Sequence, residues 1–167
     1  MTAPRVLIVM GSDSDRDKLA PCWEMLDQLG IGYAVRVASA HRTPERVVEL
    51  ARTARELGFG VIVAGAGLAA HLAGMIAAHT TLPVVAVPVV SGTLGGVDAL
   101  LSTVQMPPGV PLASVGIGGA TNAGLYAAAI LGAHGGGIAA RLGELREAQA
   151  KRVVEADERI RAETTPA

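Results

Sequence analysis

The stretch "SAHRTP", Ser39 to Pro44, sets an imidazole beside a guanidinium where an apolar run gives way to a helical pattern. An imidazole exchanges protons near neutral pH, and a guanidinium offers a permanent charge on a planar fork that matches phosphate or carboxylate oxygens. Folding asks less of this position. Thr43 and Pro44 already supply a capping hydroxyl and a proline at the first helical position, so His41 and Arg42 exceed what the turn needs.

Two other turns carry similar chemistry. In "GSDSD", Gly11 permits a tight turn, and Ser12 and Ser14 present hydroxyls and amides at a helix start, which makes an anion site. Asp15 falls in the first helical turn, where the macrodipole favours a carboxylate, so it reads equally as a cap or as a ligand-binding group. In "AGAGLAAHLAG" the run Gly65, Ala66, Gly67, Leu68 brings backbone close to a ligand. His71 stands next to that run, with its role open at this stage. Together the three turns describe an anion-binding pocket with one group able to move a proton, His41.

Other chemistries are excluded. The dinucleotide fingerprint fails because "GAGLAA" lacks a third glycine and no acidic residue ends the second strand, where arginine stands instead; no cofactor is expected. His71 and His79, on one predicted helix, are separated by about 12 Å of rise, whereas zinc needs ligands near 2 Å, and no HxxxH or CxxC spacing exists, so no metal is expected. His79 and His134 read as surface or helix-end residues. Cys22, beside Trp23 and Met25 in a helical pattern, reads as a passive buried thiol. A net charge of −1 with interspersed acids and bases gives no footprint for nucleic acid. The apolar stretch from Val61 to Val90 is broken by glycines, His71, His79 and Pro83, which argues against a membrane span. The first residues lack the pattern of a secretory signal, so the expected location is cytoplasmic.

The elements that must position these turns follow from patterning. Half of the 167 residues are apolar but only 2% aromatic, so the core is built from Val, Ile, Leu and Ala, as in parallel sheets covered by helices. Continuous apolar runs "RVLIVM", "YAVRVAS", "GVIVAG", "LPVVAVPV" and "VPLASVGIG" alternate with helical patterns. These include a first helix carrying Leu19, Trp23, Leu26 and Leu29, then "PERVVELARTAREL", "AAHLAGMIAAH", "GGVDALLSTVQ" and "TNAGLYAAAILG". The alternation predicts an α/β fold: one domain, a parallel sheet with helices on both faces in a flavodoxin-like three-layer sandwich, with a core of about 5–132. A charged C-terminal helix over about 138–161 completes it, with Glu147–Lys151 and Glu155–Arg159 in the favourable order for ion pairs. In such folds ligands bind outside the carboxyl ends of the strands, where all three loaded turns fall. The high apolar fraction predicts a homo-oligomer that buries either the helix from Ala69 to His79 or the C-terminal helix.

On "VLIVMGSDSD", "SAHRTPERV", "VIVAGAGLAAHLAGMIAAHTTLPVVAVPV", "VDALLSTVQMPPGVPLASVGIG" and "NAGLYAAAIL", the chain resembles the class I PurE family, the N5-carboxyaminoimidazole ribonucleotide mutases of purine biosynthesis. The resemblance covers nearly the whole chain except its ends. It implies a cofactor-free reaction, without ATP or metal, in which a carboxyl group leaves the exocyclic nitrogen of an aminoimidazole ribonucleotide and is reattached to the neighbouring ring carbon. By the same resemblance Ser12 and Asp15 hold the ribonucleotide with Arg42, Ser14 and Ser39 help at phosphate and sugar, His41 is the acid and base, and residues Gly65 to Ala70 approach the imidazole and carboxyl group. It also implies an octamer. The sequence departs from the family's usual pattern at Leu68 and Ala73, where many relatives carry Gly and Pro, in "VSGTLGG", and in a shorter "IGGATNAG". Two rival readings stand beside it. One is the class II relative that carboxylates aminoimidazole ribonucleotide directly with carbon dioxide and typically carries lysine after the histidine. The other is a non-catalytic ribonucleotide-binding module of flavodoxin-like fold.

Overall fold

The computed structural model describes residues 5–133 and 135–164; His134 lies outside the described residues. Strands β1 (Arg5–Met10), β2 (Tyr33–Val37), β3 (Phe59–Ala66), β4 (Val84–Pro88) and β5 (Ala113–Ser114) form one sheet in the order β2-β1-β3-β4-β5, every pair parallel. Helices α1 (Arg16–Gln28), α2 (Pro44–Thr53), α3 (Leu72–Ala77), α4 (Val97–Val104) and α5 (Ala120–Gly132) alternate with the strands, and α6 (Ile138–Thr164) follows. Winding reverses between β1 and β3, which opens a crevice at the carboxyl ends of those two strands.

Strand residues point alternately to the two faces, and both faces are buried. Val6, Ile8, Met10, Val61 and Val63 pack against one helical layer with Leu19, Cys22 and Leu26 of α1 and Ala123, Ala127 and Leu131 of α5. Leu7, Val9, Ile62 and Ala64 pack on the other face with Val47 and Ala51 of α2 and Leu72 and Ile76 of α3. Two buried faces explain why the strands read as unbroken apolar runs. Helices α1 and α5 meet backbone to backbone: a Cβ at Gly124 would stand 2.7 Å from the Cys22 carbonyl oxygen. Cys22 is fully buried, and burial pushes its thiol up to about 12.

Three elements differ from the sequence expectation. The third helix begins at Leu72 and ends at Ala77, because Leu68 takes a left-handed backbone (φ 56°) and the chain turns through Ala69 to His71 before helix forms. The fifth strand shrinks to Ala113–Ser114: it pairs only with β4 at the sheet edge, and the chain turns away after Val115 through Gly116 and Gly118. Helix α6 runs to Thr164, and its ion pair is Lys151 Nζ to Glu155 Oε1 at 3.9 Å, across exposed side chains, in place of the two expected pairs. Only its start is anchored, through buried Ile138 with Leu142 and Leu145 against the core. Val153, Val154 and Ile160 stay exposed. Among the described residues no helix is long and apolar enough to cross a membrane.

Candidate functional site

The turns after β1, β2 and β3 converge with Ser91, beyond β4, around a cavity of about 330 Å³. Every site residue predicted from sequence borders it except Gly65: Ser12, Ser14, Asp15, Ser39, His41, Arg42, Ala66, Gly67, Leu68 and His71 line the wall. Gly65 lies just behind that lining, and a Cβ there would stand 2.5 Å from Leu19 Cδ1, so its glycine lets α1 pack on β3.

The turn after β1 is locked by its own side chains. Ser12 Oγ donates to Asp13 Oδ1 (3.1 Å), Ser14 Oγ lies 2.9 Å from Ser12 Oγ, and the Ser14 amide donates to Asp13 Oδ1 (3.0 Å). Ser12 caps the 3-10 turn Asp13–Asp15, accepting from the Ser14 amide at 3.3 Å. Asp15 sits at the mouth of α1 and is only 6% exposed. Burial raises its carboxyl above the usual aspartate value; the Lys18 ammonium and a backbone hydrogen bond from Ser12 oppose that rise, and Asp13 adds to it.

The turn after β2 is tied by Ser39 and Thr43. Here Thr43 corrects the sequence expectation: its hydroxyl makes no cap bond to α2. It instead accepts from the Ser39 amide (2.9 Å) and lies 3.3 Å from the Ser39 carbonyl, while Pro44 does open the helix. Ser39 Oγ accepts from the Arg42 amide at 3.2 Å, so the serine shapes the turn that aims Arg42. The Arg42 guanidinium is exposed and has no ion-pair partner among the described residues, which leaves its charge for an anion.

His41 Nε2 lies 2.8 Å from His71 Nδ1, with ring centroids 4.9 Å apart and planes at 83°. The pairing depends on the short third helix, because the turn before Leu72 carries His71 to the cavity rim. The two rings meet nitrogen to nitrogen on the cavity wall. Sequence reasoning placed both histidines near the pocket and missed their contact, since thirty residues separate them and no spacing encodes it. Lys18 and Ser91 were missed as well: Lys18 Nζ donates to the Val90 carbonyl (2.8 Å) and lies 3.5 Å from Ser91 Oγ.

A family model described as AIR carboxylase matches residues 5–152. The chain belongs to the AIR carboxylase family. Within it, the chain is similar to proteins named N5-carboxyaminoimidazole ribonucleotide mutase. That of Bacillus subtilis is 52% identical over 159 residues, covering 94% of this chain and 98% of the relative. That of Thermotoga maritima is 50% identical over 157 residues, covering 94% and 92%. Among solved structures, Treponema denticola PurE superposes with a TM-score of 0.86 at 31% identity, covering 93% of this chain and 98% of the other. The AIR carboxylase family likeness therefore spans the sheet, all three loaded turns and the start of α6.

Proposed function

We propose that this chain is an N5-carboxyaminoimidazole ribonucleotide mutase, with His41 as its general acid and base. The assignment to the mutases follows from relatives of that name at 50% identity and above over most of the chain. The mechanism rests on one observation: an imidazole pair in contact, opening on a cavity beside an unpaired arginine.

The chemistry needs little more. Breaking the carbamate N–C bond leaves the electron pair on the exocyclic nitrogen, which takes a proton from the His41–His71 pair as carbon dioxide forms. The ring carbon adjacent to the one that bears this nitrogen then attacks the carbon dioxide, a C–C bond forms, and the proton on that attacking carbon returns to the imidazole. One proton leaves the pair and one returns, so no oxidant, ATP or added cofactor is required. What the protein supplies is a positioned proton and confinement of carbon dioxide beside the carbon that captures it. Arg42 anchors the phosphate as a fork on oxygen, helped by the Ser12 and Ser14 turn, while Asp15 and Ser39 hold the sugar side and Ala66 to Leu68 bring backbone to the base and carboxyl group.

The assembly is a homo-oligomer, an octamer in this reading, and of the two surfaces expected to support it α6 keeps Val153, Val154 and Ile160 exposed. Helix α3 already buries Leu72, Ala73 and Ile76 within its own chain. Helix α4 and the segment before it also leave an apolar stripe open, Leu94 (63% exposed), Val97 (50%), Leu101 (53%) and Val104 (47%). A second copy of the chain is the occupant that such a self-contained enzyme offers it. The test is spectroscopic: purified protein should convert N5-carboxyaminoimidazole ribonucleotide to the ring-carboxylated isomer without ATP or added metal. Turnover only when free aminoimidazole ribonucleotide and carbon dioxide are supplied would replace the mutase with the carboxylase. Binding without turnover would make the chain a ribonucleotide-binding module. Light scattering on the same sample should give a mass several times that of the 16.9 kDa chain.

A further inference from the structure

The segment between β4 and α4 reaches the cavity through Ser91, yet its backbone is loosely specified. Gly92, Gly95 and Gly96 all take left-handed conformations, and Val90 and Leu94 are exposed. What gives it a fixed place within its own chain is contact on two sides. On one, it abuts the turn after β3: the Val89 amide donates to the Ala66 carbonyl (2.9 Å), and a Cβ at Gly67 would stand 2.5 Å from Ser91 Oγ. A Cβ at Gly92 would likewise stand 2.7 Å from Leu68 Cδ2. Leu68 holds a left-handed backbone that disfavours a side chain, so the turn accepts strain to set that leucine against Gly92. On the other side stands Lys18, whose ammonium bonds the Val90 carbonyl.

Lys18 is in the first turn of α1, where a cation opposes the helix macrodipole. Helix stability does not account for a lysine there. Its reach across 72 residues of sequence to a carbonyl at the cavity edge does.

We propose that Lys18 is a positioning residue, whose ammonium fixes the Val90 carbonyl and so holds Ser91 and Gly92 against Gly67 and Leu68 as a wall of the cavity. The consequence for turnover rests on the mutase reading; the clamp itself does not. Lys18→Met keeps the aliphatic stem and removes the donor, and Lys18→Arg keeps a donor.

Hydrogen–deuterium exchange on the ligand-free protein reads the clamp directly. Amides of residues 90–96 should exchange roughly five- to tenfold faster in Lys18→Met, the scale of one exposed charged hydrogen bond, and near the wild-type rate in Lys18→Arg. The KM for N5-carboxyaminoimidazole ribonucleotide should rise by a similar factor in Lys18→Met with kcat nearly unchanged, and arginine should restore it. Unchanged exchange in 90–96, exchange raised evenly over the whole chain, or a loosened segment with unaltered KM would each overturn the proposal. A wild-type protein that turns over no mutase substrate would defeat the functional reading instead, and the exchange measurement would still decide the clamp.

Discussion

The turns after β1 and β2 lie side by side on the same cavity and solve opposite problems. After β1 the polar groups are spent on one another: Ser12, Asp13 and Ser14 close a hydrogen-bonded ring, and Asp15 is sunk behind them. After β2 only Ser39 and Thr43 are tied in, while Arg42 is left unpaired and His41 reaches out to a histidine from another turn. The first turn is a preset surface whose shape hardly depends on a ligand. The second presents groups whose charge and proton are still available. A fixed surface and the groups with charge still to offer thus fall to neighbouring turns with different degrees of internal satisfaction.

If that division is right, the largest loss comes from the open turn. His41→Asn should keep fold and affinity, since asparagine suits a turn and mimics one imidazole hydrogen bond. Turnover should fall at least about 10²-fold, the lower end of what a positioned acid or base contributes. His71→Asn should cost less in kcat, because His41 keeps its place in the turn beside Arg42. Near wild-type rates in folded His41→Asn would move the proton chemistry elsewhere.

Next in size is Arg42→Ala, expected to raise KM roughly tenfold or more through loss of a charged partner. Lysine should rescue only part, because the fork is lost. The phosphate-free nucleoside should discriminate poorly between wild type and variant, and equal binding of nucleoside and nucleotide by wild type would remove the phosphate from Arg42.

The smallest effect, and one of opposite sign on stability, belongs to the preset turn. Burial raises the Asp15 carboxyl above its ordinary value of 3.8, so the native state holds this proton more tightly than the unfolded chain does. As pH rises from below that value the unfolded chain ionises first and native stability falls, until the folded carboxyl has also ionised. Asp15→Asn should therefore raise the neutral-pH Tm. The gain should fade in acid, and ribonucleotide binding should weaken. A Tm difference that persists below the ordinary carboxyl range would assign the gain to packing.

Much of this was legible in the chain. The sheet could be read because strands buried on both faces carry unbroken Val, Ile and Leu, and the three turns could be read because each holds more polar chemistry than a turn requires. What escaped was set by tertiary context. The apolar "VPLASVGIG" promised a full strand, but the sheet edge supplies a single neighbour and glycines end the pairing. "AAHLAGMIAAH" has helical composition throughout, and nothing local announces that Leu68 goes left-handed and frees His71 from the helix. Thr43 looks like a cap and is a tether. Lys18 and Ser91 are an ordinary helix lysine and loop serine until the fold brings them together.

Cys22 gives the molecule a built-in clock. The chain has one thiol, seated where Gly124 lets α5 close onto the Cys22 carbonyl, and a thiol pushed up to about 12 is almost wholly protonated at neutral pH. A thiol-specific reagent must wait for the core of that helical layer to open before any thiolate can react. The rate at which this single sulfur is consumed therefore counts openings of the helical layer behind the sheet, with no label added to the protein.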